Sequence, residues 1–214
     1  MAYGLEEHNM RILFQGDSIT DARRDRDNDQ YRGVGYATLV SAKLGFEYPN
    51  QHEFINRGVS GNRVSNLVAR MKADMINLKP DVMSILIGVN DVWHEVSRQN
   101  GVDAELYEKL YNLLIEEVKK ALPDLRIIIL EPFVLKGSAT LENWKVFDRE
   151  VKLRAAAARR VAERNGLEFI PLQDKLDSAT MLAPEEYWLM DGVHPTAVGH
   201  ELIAREWIKT FLGN

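Results

Sequence analysis

Cysteine is absent from this 214-residue chain. That absence excludes a disulfide scaffold, cysteine-ligated zinc or iron–sulfur clusters, and thiol catalysis. No apolar run approaches the roughly 20 residues that a membrane-spanning helix needs. An excess of positive charge is also missing. The 27 Lys and Arg face 32 Asp and Glu, a formal net charge of −5, so nothing favours a nucleic-acid backbone or an anionic membrane as partner. No His-Glu-x-x-His pairing and no Gly-rich phosphate loop occurs. Near the start, Glu6, Glu7, His8 and Arg11 interrupt any candidate apolar leader, and the expectation is a cytoplasmic protein.

What is present is the mix of an ordinary globule, 45% hydrophobic and 28% charged, at a length that predicts one domain over 1–214. There is no internal repeat, low-complexity tract or linker. Short branched apolar runs alternate with longer segments of helical period. Strands are predicted at 11–15, 53–56, 82–87, 126–130 and 168–170. The near-continuous apolar run 82–87 suits a central parallel strand buried on both faces. Helices are predicted at 34–44, from a cap at Asn62 to Leu78, from Asp103 onward, at 142–165 closed by Gly166, at 172–179, and after Pro195 in its first turn. This alternation predicts an α/β protein: a three-layer α/β/α sandwich around a five-stranded doubly wound parallel sheet, order 2-1-3-4-5. Two connections look long, 21–33 and 132–141. The first carries four Asp and four Arg that cancel in charge. Loops of this length serve as lids or binding loops, or are solvated surface.

In such sheets ligands bind beyond the carboxyl ends of the strands. Gly16-Asp17-Ser18-Ile19 follows the first strand, Asn56-Arg57-Gly58-Val59-Ser60-Gly61-Asn62 the second, and Gly88-Val89-Asn90-Asp91 the third. Asp191-Gly192-Val193-His194 precedes the last helix. Together they hold what acyl transfer needs. Ser18 can be a nucleophile, His194 its base, and Asp191 can orient and stabilise the imidazolium. The N–H groups of Ser18 and Gly58 and the amide of Asn90 can receive a developing oxyanion.

The four blocks, in this order, resemble the SGNH hydrolases, the GDSL esterase superfamily, over about residues 13–200. The resemblance implies a serine ester hydrolase with the triad Ser18, Asp191 and His194. It also implies an oxyanion hole of Ser18, Gly58 and Asn90, and no metal or organic cofactor. The stretches 16–21, 58–62, 88–93 and 193–195 are most similar to intracellular acetylxylan esterases, which deacetylate short sugars. That branch carries a tryptophan directly before the triad aspartate, where this chain has Met190.

The expected substrate is therefore a small ester, most simply an acetylated sugar, with homo-oligomerisation suggested by the same resemblance. Asp17, Trp93, Trp188 and Met190 are candidate substrate contacts, and Tyr187 could also border the site. Asp17 reads first as a loop-holding residue through backbone hydrogen bonds, and the aromatics equally as core or subunit contacts. A lipase- or thioesterase-type acylhydrolase is the nearest alternative, and a non-catalytic or nucleotide-binding module the next. Asp91 reads as structural and Arg57 as an ion-pair former. His8 and His52 read as surface residues, His200 as packing, and His94 as the one rival base.

Overall fold

A computed structural model describes residues 9–213; His8 lies outside them. The described residues form a five-stranded parallel sheet in the order β2-β1-β3-β4-β5. Its strands are β1 (Met10–Gly16), β2 (His52–Asn56), β3 (Val82–Leu86), β4 (Arg126–Leu130) and β5 (Glu168–Ile170). Phe14 lies opposite both Asn56 and Ser84, Gly16 opposite Leu86, Leu86 opposite Leu130, and Leu130 opposite Ile170. The carboxyl ends thus finish near one level, and the segments that follow them meet at one rim.

Side chains alternate across the sheet because the strand period is two. Ile12, Phe14, Ile128 and Leu130 enter one core, Leu13, Met83, Ile127 and Ile129 the other. The first is covered by α2 (Tyr36–Glu47) and α9 (Ala197–Leu212). The second is covered by α3 (Val64–Asp74), α5 (Ala104–Ala121) and the later turns of α6 (Trp144–Asn165). Single turns α1 (Ser18–Asp21) and α8 (Glu185–Trp188), with α4 (Val89–Arg98) and α7 (Gln173–Thr180), complete the chain. Asp103 caps α5 by accepting the N–H groups of Glu105 at 3.0 Å and Leu106 at 2.9 Å. Gly166 closes α6 in the left-handed conformation. Among the described residues no helix is long and apolar enough to cross a membrane.

The helix ends depart from expectation at three places. Asn62 does not cap α3. Arg63 holds that position, with its N–H on Asn66 Oδ1 at 2.9 Å, while Asn62 Oδ1 accepts from Arg70. The helix also stops at Asp74, and a separate 3-10 turn spans Ile76–Leu78. Pro195 precedes the last helix rather than entering it; Thr196 is the cap, accepting from Gly199 N–H at 3.2 Å. Helix α4 was not anticipated, because it leaves the strand through Gly88 with no side-chain cap to announce it. The 132–141 connection is no solvated loop: Phe133, Val134, Leu135 and Thr140 are buried. His52 also departs from its surface reading, packing between Tyr48, Phe54 and Phe211.

Trp207 is fully buried, stacked on Phe211 at 5.1 Å and tilted against Phe14 at 5.4 Å, and its indole N–H finds no partner. Trp207→Ala should lower stability by about 3–5 kcal/mol through lost contacts and a cavity. Trp207→Phe should cost much less, since it also removes an unsatisfied donor. Urea unfolding of the two variants checks the ordering.

Candidate active site

Asp17 caps α1, its Oδ1 accepting the Ile19 N–H at 3.0 Å. That turn presents Ser18 at the end of β1, with Oγ 3.0 Å from His194 Nε2. His194 Nδ1 lies 2.7 Å from Asp191 Oδ2. The other Asp191 oxygen accepts the N–H groups of Val193 at 2.9 Å and His194 at 2.8 Å. A carboxylate can only accept, so Nδ1 carries the ring proton and Nε2 is left to accept from Ser18.

These contacts tune both groups. Burial pushes the Asp191 carboxyl up, but the His194 ring and the two backbone N–H groups outweigh it and hold it at about 2. The hydrogen bond that His194 donates to Asp191 raises the ring above its ordinary 6.5, against burial and with help from the Asp191 and Asp17 charges. The loop carrying the pair is braced from outside. Leu135 N–H donates to Gly192 O at 2.9 Å, and Ala139 N–H to Asp191 O at 3.0 Å. Position 137 must be glycine for this, because a Cβ there would stand 2.2 Å from the Asp191 carbonyl carbon. The 132–141 connection is therefore a brace on the triad loop.

The oxyanion donors need one correction. Gly58 does permit a close approach, since a Cβ would stand 2.3 Å from Asp21 N. Its own N–H, however, donates to Asn56 Oδ1 at 2.9 Å. Nearby N–H groups are also committed: Val59 to Gly16 O at 3.1 Å, Ser60 to Asp21 Oδ2 at 3.0 Å, and Asn62 to Val59 O at 3.1 Å. Within 57–63 the Gly61 N–H is the one that donates to no described residue. Asn90 sits in the first turn of α4, and its Nδ2 donates to Asn62 O at 3.2 Å, leaving one amide hydrogen for a ligand.

Two buried carboxyls lie behind these groups. Asp17 is 1% exposed, so it cannot touch substrate as the sequence suggested; its Oδ2 has no partner. Burial pushes it up to about 7, opposed by the Ile19 N–H and more weakly by His194 and the neighbouring Asn90 amide. Asp91 is fully buried and pushed up to about 8 by burial, although both oxygens accept the Val64 N–H, at 3.1 and 3.3 Å. That bond ties the start of α3 to α4.

A cleft of ≈ 480 Å³ opens over the triad, with Ser18, His194, Ile19, Val34, Met190 and His200 among its walls. Trp93 packs on the His194 ring, centroids 5.8 Å apart. Trp188 lies outside the cleft: its Nε1 donates to Ala183 O at 3.2 Å, it packs edge-to-face with Tyr187, and it lines a separate surface hollow with Leu182, Val198 and Leu202. Arg57 forms a two-pronged pair with Asp29. His200 accepts the Tyr36 N–H at 3.2 Å and is lowered to about 4 by burial and the His194 charge. His94 sits on α4, lowered by burial and by Arg63 and Arg98, with no orienting carboxylate. The sequence signals for Gly61 and Asp91 were there, but which donor stays free is a matter of neighbours.

An α/β/α sandwich that places a Ser-His-Asp relay at the sheet's carboxyl rim defines a serine ester hydrolase. The GDSL-like lipase/acylhydrolase family matches residues 14–202, and the chain belongs to that family. The acetylxylan esterase of Geobacillus stearothermophilus is 30% identical over 208 residues, 93% of this chain and 92% of that one. Solved forms of that enzyme superpose with a TM-score of 0.84 at 29% identity over 94% of both chains. Those with a serine, an aspartate or a histidine replaced by alanine are described as catalytic mutants. A protein of Parabacteroides merdae described as GDSL-like lipase superposes with a TM-score of 0.90 at 37% identity, over 94% of this chain and 95% of that one. The protein is a carboxylic ester hydrolase.

The buried acids make stability depend on pH. Because folding raises both pKa values above the ordinary 3.8, the native state holds protons that the unfolded chain has released. Stability contributed by the neutral acids therefore drains away as pH climbs from about 4 through about 7 and 8. Asp17→Asn keeps an acceptor for Ile19 and cannot ionise. Urea midpoints at pH 5 and pH 8 should fall less between the two conditions in this variant than in wild type; equal falls would contradict the assignment.

Proposed function

We propose that the protein removes short acyl groups, acetyl foremost, from small sugar esters through an acyl-enzyme on Ser18. The observation that carries this is the unbroken relay from Ser18 Oγ through His194 to Asp191, at 3.0 and 2.7 Å, beneath an open cleft. The named activity of the Geobacillus relative supports the acetyl and sugar parts.

His194 Nε2 takes the Ser18 proton as Oγ attacks the acyl carbon. Negative charge gathers on the carbonyl oxygen, where the N–H groups of Ser18 and Gly61 and the Asn90 amide receive it. Gly61 replaces Gly58 in this role because its N–H is uncommitted. His194 then hands its proton to the departing alcohol. Water repeats the sequence on the acyl-enzyme and regenerates Ser18. Asp191 stabilises the imidazolium throughout. Met190 and Val34, 62% and 69% exposed on the cleft wall, border the substrate. The same exposed apolar groups favour the second reading, an acylhydrolase for longer chains. Cytoplasmic residence and self-association belong to the same proposal; Met181 and Leu182, each 84% exposed, offer apolar surface for a second copy.

Ser18→Ala should lower kcat by about 10⁴-fold or more. Asn90→Ala should lower it by about 10²–10³. An organophosphorus reagent should add its mass at Ser18, and label elsewhere would overturn the nucleophile. Rates on p-nitrophenyl esters should fall steeply from acetyl to octanoyl; a rise would select the second reading. Since neutral His194 is the active form and its pKa is raised, kcat/KM should climb with pH through a midpoint above 6.5. Undiminished activity at pH 5 would contradict this base.

A further inference from the structure

Among the residues lining the cleft, Arg23 carries the only permanent charge, and no carboxylate lines it. The other arginines of this region are committed. Arg24 donates to Gly58 O at 2.8 Å, Arg26 pairs with Asp21 at 3.0 Å, Arg32 donates to Phe54 O at 3.1 Å, and Arg57 pairs with Asp29. Arg23 has no hydrogen-bond or ion-pair partner among the described residues. Asp21, the nearest buried acid in the chain, is already taken by Arg26 and by the Ser60 N–H and hydroxyl.

The backbone at this point is unusual in the same place. Ala22 and Arg23 are consecutive left-handed residues, with φ of 41° and 65°. Glycine adopts that conformation freely and other residues resist it. Here it is over-determined. Ala22 N–H donates to Ser18 O at 3.0 Å, Arg24 N–H to Asp21 O at 2.8 Å, and Val34 N–H to Ala22 O at 2.8 Å. The turn that presents Ser18 thus runs directly into one that delivers a guanidinium to the cleft wall. Strain of this kind gathers where a side chain has to be aimed.

We propose that Arg23 binds a carboxylate on the alcohol portion of the substrate, so that the preferred ester lies on, or next to, a uronic acid residue of a saccharide. The inference rests on the ester-hydrolase reading above and refines its substrate class. The whole chain, at net −5, repels anions at a distance. An exposed, unpaired cation on the cleft wall reverses that preference locally, in the same cleft that Ser18 lines. One guanidinium matches the single charge and planar fork of a carboxylate. A phosphate, with nearly twice the charge, calls for more cations or a cradle of N–H groups.

The test compares acetate release from three sugars: an acetylated methyl glucuronoside, the methyl ester of that uronate, and an acetylated glucose phosphate. Wild type should favour the free carboxylate over its neutral ester by about ten-fold in kcat/KM, less at high salt. In Arg23→Gln that ratio should fall to about one, and Arg23→Lys should keep part of it. Arg23→Gly, which suits the left-handed backbone, repeats the measurement if the glutamine variant folds poorly. A ratio near one in wild type, or a ratio unchanged in Arg23→Gln, overturns the proposal. A stronger preference for the phosphate overturns the carboxylate assignment. Failure to cleave p-nitrophenyl acetate and all three sugars would overturn the hydrolase reading itself.

Discussion

The hydrogen bond between His194 Nδ1 and Asp191 Oδ2, 2.7 Å long, is the contact on which the rest of the site depends. It selects the ring tautomer, so that Nε2 faces Ser18 as an acceptor. It also raises the basicity of the ring that draws the serine proton in the proposed reaction. Asp191 can do this because three donors converge on it and keep it ionised despite its half-buried position. Those donors stay in place because the 132–141 segment clamps the triad loop through two backbone hydrogen bonds. A connection that lacks regular structure is thus among the parts most closely tied to the Asp191–His194 pair.

The opposite side of the site is organised by side chains that never meet substrate. Asp17 holds the serine turn, Asp91 fastens α3 to α4, and Asn56 and Asp21 occupy N–H groups of the 57–63 segment. Burying two carboxyls disfavours their charged forms, and the pull of His194 on Asp17 and of Arg154 on Asp91 does not offset it. Below about pH 7 their protonation spares the core a pair of like charges. The polar network leaves the N–H groups of Ser18 and Gly61 for a ligand by committing the others.

Much of the architecture was legible from the sequence. All five strands and their order followed from branched apolar runs and the handedness of crossovers, because burial on both faces leaves a clear signature. The four motif blocks fell where such a sheet brings strand ends together. Helix α4 was missed because it begins at a glycine without a cap, and α1 and α8 because a single turn has no period to detect. Trp188 was placed at the site by its nearness to Asp191 in sequence, yet a short turn carries it to another face.

The order of elements was determined by the sequence, which also named the serine, histidine and aspartate that the structure brings within hydrogen-bond reach, since hydrophobic period and residue chemistry are local properties. Tertiary structure alone decided which glycine N–H and which arginine have no partner among the described residues, and which acids burial pushes toward the neutral form. Each of those outcomes depends on groups from several distant segments competing for the same hydrogen bonds, and no local pattern records who wins.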